Sequence, residues 1–279
     1  MARSLLCSKA HPDLLRIGGP GHPTKIPKKL VDTIADSDAS SIIIEGLDQK
    51  NFEHFVSTYG VQFTEIQLSR CRTIADFSPL EKLPQIKYLA IRHNIRASAL
   101  WNIRANPKLT HLELSGLNKI RGIDALAEGR ALQELEFTGS MYNGPTINSL
   151  KPIAALTQLE QLSIWGIAFE EQPSMSPLLP LTKLQFLQLA EGYFSFRQIA
   201  WFNARFRGAP SYRPFEPYTV HEEHGLAFVT GKDGPTLKLP RDQRRLEEYG
   251  KRFEDLVAYY KEKPDEPEPI GHESGGILT

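Results

Sequence analysis

Six copies of a nine-residue segment occupy the middle of the chain, and this repetition constrains the fold more than any other feature. Each copy carries apolar residues at its first, fourth and sixth places. The first residues of successive copies are 23, 23, 23, 27 and 25 residues apart. A chain with such a period folds as stacked copies of one small unit, because a single unit cannot bury its own apolar face. The copies are FTEIQLSRC from Phe63, IKYLAIRHN from Ile86, LTHLELSGL from Leu109, LQELEFTGS from Leu132, LEQLSIWGI from Leu159 and LQFLQLAEG from Leu184.

Polar and apolar residues alternate around the fourth and sixth places of each copy, which is typical of a short β-strand with one buried face. Stacked strands of this kind form a parallel sheet, and we expect the third, fifth, seventh and eighth places to lie on its exposed, concave side. The segments between strands carry Pro and closely spaced Leu or Ile, which indicates short helices or turns on the convex side. They are Ser78–Leu83, Leu150–Leu156 and Ser176–Leu181.

The rest of the unit repeats as well, and the sequence therefore resembles the leucine-rich repeat family. The resemblance is to the short, irregular repeats of bacterial, cytoplasmic members of that family. It implies an α/β leucine-rich repeat solenoid: an arc with a concave parallel β-sheet, short helices or turns on the convex side, an N-terminal cap and a C-terminal cap made of a hairpin and a helix. Conserved spacing supports it at places eighteen and twenty-one, which hold Leu80 and Leu83, Ile153 and Leu156, and Leu178 and Leu181.

The ninth place of the unit, where this family prefers Asn or Cys, holds Cys71 and Asn94 in the first two copies. We therefore expect the hydrogen-bonded ladder of the family in these copies. The later copies depart from the pattern, with Leu117, Ser140, Ile167 and Gly192 at this place.

The sequence predicts four regions. Residues 1–40 are a basic N-terminal arm and cap, 41–208 the repeats, 209–264 the C-terminal cap, and 265–279 a disordered tail rich in Glu, Pro and Gly. Within the first two regions, a short helix is expected near Pro27. Ser41–Glu45 is expected to be an edge strand, and Asp48 the N-cap of a helix that ends at Gly60.

The C-terminal cap is predicted from two short patterns. Apolar runs on either side of Gly231–Gly234 indicate a β-hairpin between Gly225 and Leu239. Pro240 then opens a helix with one apolar face, which ends at Pro264.

Composition limits the class of protein. The 33 basic and 33 acidic residues cancel, so the chain as a whole attracts neither nucleic acid nor an anionic membrane. The two cysteines, Cys7 and Cys71, form no metal-binding pair, and we expect no cofactor. No apolar stretch has the length of a signal peptide or a membrane span. These features predict a cytoplasmic monomer.

The expected concave face supplies the candidate partner-binding residues. Glu113 and Glu136 share a place in neighbouring strands, about 4.8 Å apart, and with Glu134 they could form an acidic patch that accepts a basic segment of a partner. The alternative is that basic neighbours neutralise these carboxylates and that the aromatic side chains only stack on one another. The candidates are Tyr88, Arg92, His93, His111, Glu113, Glu134, Glu136, Trp165 and Phe186.

Three further segments carry residues that suit a binding or metal site. Aromatic and arginine residues between Tyr193 and Tyr218 could hold single-stranded nucleic acid, although a cover for the last repeat explains them better. The N-terminal arm has six basic residues among its first 30, which suits a solvated, partly disordered terminus or an acidic partner. His221 and His224 lie three residues apart, which does not match the metalloprotease motif, and a surface loop is expected.

These patterns predict a protein–protein interaction module rather than an enzyme. It would act as an adaptor, inhibitor or regulatory subunit that binds another protein on the concave face. The alternative is an enzyme or nucleic-acid-binding protein with its activity in the segment after Gly208. The fold alone does not choose between them, because function depends on the site.

Overall fold

The computed structural model describes residues 13–19, 25–139, 144–209 and 214–270. The chain divides into two compact units. The first comprises Met1–Ile147 and Ser163–Ala168, and the second comprises Asn148–Leu162 and Phe169–Thr279.

The strands are β1 (Leu14–Ile17), β2 (Ser41–Glu45), β3 (Glu65–Ser69), β4 (Tyr88–Arg92), β5 (His111–Ser115), β6 (Glu134–Thr138), β7 (Thr146–Ile147), β8 (Gln161–Trp165), β9 (Ala168–Phe169), β10 (Phe186–Leu189), β11 (Tyr218–His221), β12 (Leu226–Val229) and β13 (Thr236–Lys238). In the first unit, β1 to β6 lie side by side in one sheet in the order of the chain. In the second unit, β11, β12 and β13 form a separate sheet in that order.

In the first unit, the strands are parallel and pair in the register that the repeat requires. Equal places of the repeat lie side by side: Leu89 of β4 pairs with Leu112 of β5, which pairs with Leu135 of β6. The residues at the fourth and sixth places of these strands are at most 2% exposed. The predicted leucine-rich repeat architecture, with stacked strands that bury one face, is therefore confirmed.

The eighth place of the repeat turns the chain at the end of each strand. Its backbone N–H donates to the carbonyl at the seventh place of the next strand, as from His93 to Ser115 (2.8 Å) and from Gly116 to Thr138 (2.9 Å). The backbone there is left-handed, with φ of 57° at His93 and 68° at Gly116. Glycine suits this conformation, whereas a side chain such as that of His93 is strained in it.

Short 3₁₀ helices follow the strands, as the Pro-containing segments predict. Their apolar side chains complete the core beneath the sheet; Leu80 and Leu126 in the first unit, and Ile153 and Leu178 in the second, are fully buried. The helices are Asp32–Asp36, Gly60–Gln62, Ser78–Lys82, Ile103–Ala105, Asp124–Glu128, Lys151–Ala155, Ser176–Leu178, Glu191–Tyr193 and Glu222–His224.

The ninth-place ladder is present at Asn94. Its side-chain amide donates to the carbonyls of Cys71 and Ile74 (both 2.8 Å), and its oxygen accepts from the N–H groups of Arg96 (3.0 Å) and Ala97 (2.9 Å). Asn94 is 1% exposed. Burial raises the pKa of the neighbouring Cys71 thiol to about 12. The Asn at this place therefore ties two successive turns of the repeat together.

The N-terminal region contains one strand more than the pattern predicts. Ser41–Glu45 was expected to be an edge strand, and this prediction is wrong, because β1 pairs with it in parallel and takes the edge position. Helix α1 (Lys28–Val31) lies near Pro27 as expected, and Asp48 caps helix α2 (Gln49–Thr58) by accepting from the N–H of Asn51 (2.8 Å).

The second unit contains the predicted hairpin and helix. Strands β12 and β13 are antiparallel around Gly231–Gly234, and β11 adds a third strand. Helix α4 (Gln243–Glu262) packs against helix α3 (Phe196–Arg205), which has a capping box at Ser195 and Gln198. Whether these elements act as a cap remains a prediction.

The C-terminal tail is ordered over its first residues, which corrects the prediction of a disordered segment for 265–270. Glu268 accepts hydrogen bonds from Ser174, Met175, Ser176 and Gln198. The indole N–H of Trp201 donates to the carbonyl of Glu266 (3.0 Å). The remainder of the predicted tail, 271–279, lies outside the described residues.

Candidate functional site

The candidate residues lie on the face of the sheet that is opposite the core, which we call the open face. It carries the side chains at the third, fifth and seventh places of strands β3 to β6. The register sets three rows across this face: Glu65, Tyr88, His111 and Glu134; Gln67, Ala90, Glu113 and Glu136; and Ser69, Arg92, Ser115 and Thr138.

An ion pair between Arg92 and Glu113 occupies the centre of the open face. The guanidinium forms two hydrogen bonds to the carboxylate, from Nε to Oε1 and from the terminal nitrogen Nη2 to Oε2. Tyr88 donates a third hydrogen bond to the same carboxylate (3.3 Å). The two charged side chains are only 19% and 12% exposed. Glu113 is therefore neutralised and held in place, because a planar guanidinium matches a carboxylate with two parallel bonds.

Glu136 lies directly beside Glu113 and lacks such a partner. The two residues pair across β5 and β6, as the sequence predicts. Among the described residues, none donates a hydrogen bond to the Glu136 carboxylate. Partial burial raises its pKa, the neighbouring charge of Glu113 raises it further, and Arg92 offsets part of the increase. Glu136 is thus a carboxylate that the fold leaves open to an external donor.

His111 and Glu134 form a second, weaker pair on the open face. The imidazole Nε2 lies 3.4 Å from the Glu134 carboxylate, and Nδ1 is within hydrogen-bond distance of the Thr110 hydroxyl (2.8 Å). The ring of His111 lies 6.4 Å from that of Tyr88. Two of the three carboxylates of the predicted acidic patch thus have basic neighbours: Arg92 is bonded to Glu113, and His111 lies next to Glu134. Among the described residues, no basic side chain is bonded to Glu136.

The other candidates lie around this centre or outside it. Trp165 is the last residue of β8, in the first unit, and it is 40% exposed. Its backbone carbonyl accepts a hydrogen bond from the N–H of Gly139. His93 is exposed at the left-handed turn after β4 rather than within the rows. Phe186 begins β10 in the second unit and is partly buried. An exposed Ile95, at 49%, follows His93, and the repeat pattern does not distinguish it.

Replacing Glu136 with Gln is expected to stabilise the protein at pH 7. A carboxyl group whose pKa is raised on folding favours the protonated form in the folded state, so its ionisation costs stability. That cost sets in as the pH rises above the ordinary pKa of 4.5 and is complete above the raised value. We expect the melting temperature of Glu136→Gln to exceed that of the wild type by about 1–2 °C at pH 7, and the difference to vanish by about pH 4.

The measurement is a series of thermal melts between pH 4 and pH 8. Glu128→Gln is a matched control, because Glu128 is exposed at the end of the 3₁₀ helix Asp124–Glu128 on the core side of the sheet. A gain that did not depend on pH would contradict the assignment of a strained carboxylate at Glu136.

The aromatic segment between Tyr193 and Tyr218 does not offer a stacking surface in its described residues. Trp201, Phe202, Phe206 and Phe215 are buried within the second unit, at most 7% exposed. The guanidinium of Arg205 lies 4.7 Å from the ring centre of Trp201. It donates hydrogen bonds to the carbonyls of Lys263, Pro264 and Glu266. These contacts fit the interpretation of a cover better than a nucleic-acid site, whose bases stack on exposed rings.

The N-terminal arm is structured where it is described. Arg16 lies in β1, and Lys25 forms an ion pair with Asp48 (2.6 Å). The side chains of Arg16 and Lys25 are exposed, as the interpretation of a solvated terminus predicts, whereas the predicted disorder does not hold for these two residues. Arg3 and Lys9 lie outside the described residues.

The paired histidines of the second unit do not form a metal site with other described residues. His221 precedes the exposed 3₁₀ helix Glu222–His224, and His224 is the last residue of that helix. In the described ranges, no group of three His, Cys, Asp or Glu side chains is placed to hold a metal ion. None of the helices there is long and apolar enough to cross a membrane.

Comparison with known proteins gives structural matches only. No family model matches the sequence, and no curated protein matches it. An internalin of Listeria monocytogenes is 16% identical, with a TM-score of 0.36 over 59% of this chain and 57% of the other. Internalin C2 of the same species is 19% identical, with a TM-score of 0.36 over 57% and 72%. A leucine-rich repeat protein of Leptospira interrogans is 14% identical, with a TM-score of 0.35 over 61% and 52%.

The first and third of these matches span little more than half the length of the solved chains. The fold assignment depends on features of this chain itself: the period, the parallel register and the buried fourth and sixth places.

Proposed function

From the leucine-rich repeat fold of the chain, we propose that it is a protein-binding module whose partner docks on the open face, the face that the repeat pattern predicts to be concave. It acts in the cytoplasm as an adaptor, inhibitor or regulatory subunit, without catalysis, and as a monomer. The observation that carries this proposal is Glu136, a partly buried carboxylate beside the neutralised Glu113.

The partner supplies a cationic side chain to Glu136. A lysine or arginine there would form a charge-assisted hydrogen bond and would relieve the repulsion between the two neighbouring carboxylates. The Arg92–Glu113 pair would remain in place, because its hydrogen bonds are already satisfied. In the free protein, the ionised Glu136 lowers the stability of the fold. This is expected of a residue that serves binding, since residues that favour function often disfavour folding.

Trp165 provides the apolar contact next to this charged centre. It is exposed, large and at the end of its strand in the first unit, and aromatic side chains of this kind often carry much of the affinity of an interface. The partner segment is therefore expected to combine a basic residue with an apolar one.

The test is affinity capture of the partner from the native cytoplasm, followed by measurement of its dissociation constant with purified protein. Glu136→Gln is expected to weaken binding by about tenfold, and Glu136→Lys by more, because reversal adds repulsion to the lost hydrogen bond. Trp165→Ala is expected to weaken binding by about tenfold or more as well.

Glu128→Lys serves as the control, since it makes the same charge change away from the open face. A partner that bound Glu136→Lys and Trp165→Ala as tightly as the wild type would exclude the open face as the docking site. Higher stability of Glu136→Gln with unchanged affinity would leave the fold assignment intact and reject the role of Glu136.

A further inference from the structure

The small sheet of the second unit ends in an edge strand whose outer side is open among the described residues. Strand β11 is terminal in the order β11-β12-β13. Thr219, Val220 and His221 are exposed. Only Tyr218, at the start of the strand, packs against the apolar core of Ala227, Val229, Leu237 and Leu246. The strand is thus anchored at one end and exposed along the rest.

The register shows which backbone groups of β11 point outward. The N–H of Thr230 donates to the carbonyl of Pro217 (3.0 Å), and β11 pairs with β12 so that Thr219 lies opposite Phe228. In an antiparallel ladder, bonded pairs alternate with non-bonded pairs. The N–H and C=O groups of Thr219 and His221 therefore face β12, and those of Tyr218 and Val220 face away from it.

Exposed side chains flank this row of outward backbone groups. Val220 is 39% exposed on one face of β11, and Thr219 and His221 are exposed on the other face. The ring of His221 lies 5.1 Å from that of Phe228 on the neighbouring strand β12. An added strand would find hydrogen-bonding groups along the backbone of β11 and an apolar contact at Val220, which is the arrangement used when a peptide extends a sheet.

Acidic residues at both ends of β11 determine which strand fits. Glu216 precedes it, and Glu222 and Glu223 follow it, all exposed. A second copy of β11 could pair with this edge in an antiparallel arrangement that uses the N–H and C=O groups of Tyr218 and Val220. In that arrangement Thr219 of one copy lies opposite Thr219 of the other, and Glu216 lies opposite Glu222. Like charges opposite each other destabilise a pair, so the edge disfavours itself and favours a basic strand.

We propose that β11 is a docking edge for an extended, basic segment of a partner protein, which adds to the sheet as a fourth strand. The segment forms up to four backbone hydrogen bonds with Tyr218 and Val220, and its Lys or Arg residues lie next to Glu216, Glu222 and Glu223. This edge is in the second unit and is independent of the open face of the first.

Synthetic peptides test the proposal directly. The probe is a seven-residue peptide of alternating Val and Thr with a Lys at each end, compared with a twin that has Glu at each end and a twin N-methylated at alternate residues. The full-length protein is observed by hydrogen exchange with NMR detection. Binding of the Lys peptide is expected to slow exchange at the amides of Tyr218 and Val220 at least tenfold, with little change at Thr219 and His221.

Two comparisons distinguish backbone hydrogen bonding between strands from nonspecific electrostatic attraction of the peptide. The N-methylated twin keeps its charge but lacks half of its donors, and it should not protect these amides. Val220→Pro removes an outward donor at a place where an edge strand tolerates Pro, and it should abolish protection by the Lys peptide without loss of the folded spectrum.

Three results would overturn the proposal. The first is the absence of protection by the Lys peptide at millimolar concentration, and the second is equal protection by the Glu twin. The third is protection of Tyr218 and Val220 that rises with protein concentration in the absence of peptide, because it would show that a second copy occupies the edge.

Discussion

Replacing Asn94 with Ala is expected to lower the free energy of unfolding by about 3 kcal/mol, since each buried backbone group left without a partner costs about 1–3 kcal/mol. The side chain is 1% exposed and satisfies two carbonyls and two N–H groups, at Cys71, Ile74, Arg96 and Ala97. Alanine would remove all four bonds, and three of them, to the carbonyls of Cys71 and Ile74 and from the N–H of Ala97, are buried. Chemical denaturation of the full-length protein measures the effect.

Two variants define its origin. Asn94→Leu places at this site the residue that Leu117 provides in the next repeat, so it restores apolar volume but not the hydrogen bonds, and it should be nearly as unstable as Asn94→Ala. Asn102→Ala, at an exposed Asn in the same repeat, should change the free energy of unfolding by less than about 0.5 kcal/mol. If Asn94→Ala were as stable as this control, the hydrogen bonds of Asn94 would make no net contribution to the free energy of unfolding.

Replacing Glu268 with Gln is expected to lower the free energy of unfolding by about 2 kcal/mol, because hydrogen bonds to a charged group are worth about 1.5–3 kcal/mol each and the amide keeps some of them. One carboxylate oxygen accepts from the N–H of Met175 (2.6 Å) and the side chain of Gln198 (2.5 Å). The other accepts from Ser174 (2.5 Å) and Ser176 (3.1 Å). In Glu268→Gln, the NH₂ group of the amide would replace one of these oxygens and would face two donors, so these two hydrogen bonds would be lost.

The loss should also be visible locally, in the segment that carries Glu268. The indole N–H of Trp201 is bonded to the carbonyl of Glu266, so its hydrogen exchange should accelerate in Glu268→Gln before global unfolding. Glu262→Gln, at the exposed end of α4, changes the same charge without this contact and is the matched control. Unchanged indole exchange in Glu268→Gln would show that the segment is held by other contacts, among them those of Arg205.

Hydrogen bonds that join distant parts of the chain mark the limit of the sequence patterns. Glu268 bonds to residues 70 to 94 positions away, and its segment has the composition of a disordered tail. Strand β1 is another case: Leu14–Ile17 is too short and too irregular to show a strand pattern, yet it gains backbone bonds from β2. In both cases the partner, not the local residues, decides the conformation.

The candidate site divides in the same way. The repeat alone predicts that Glu113 and Glu136 lie side by side, because equal places of parallel strands are neighbours. It cannot predict which of them Arg92 neutralises, since that depends on the direction in which one long side chain crosses the sheet. The pairing with Glu113, and with it the open carboxylate of Glu136, emerges only from the tertiary structure.

The sequence by itself determined the leucine-rich repeat architecture, the strands of the repeats and their register, the N-cap at Asp48 and the hairpin. Each of these features depends on residue spacing within about 25 residues, and each either recurs along the chain or is bounded by capping and turn residues. Only the tertiary structure decided the partners of Arg92 and Glu268, the place of β1 at the edge of the sheet, and the outward backbone groups of β11. These features depend on contacts between groups that are far apart in the sequence, and the spacing of residues along the chain does not predict such contacts.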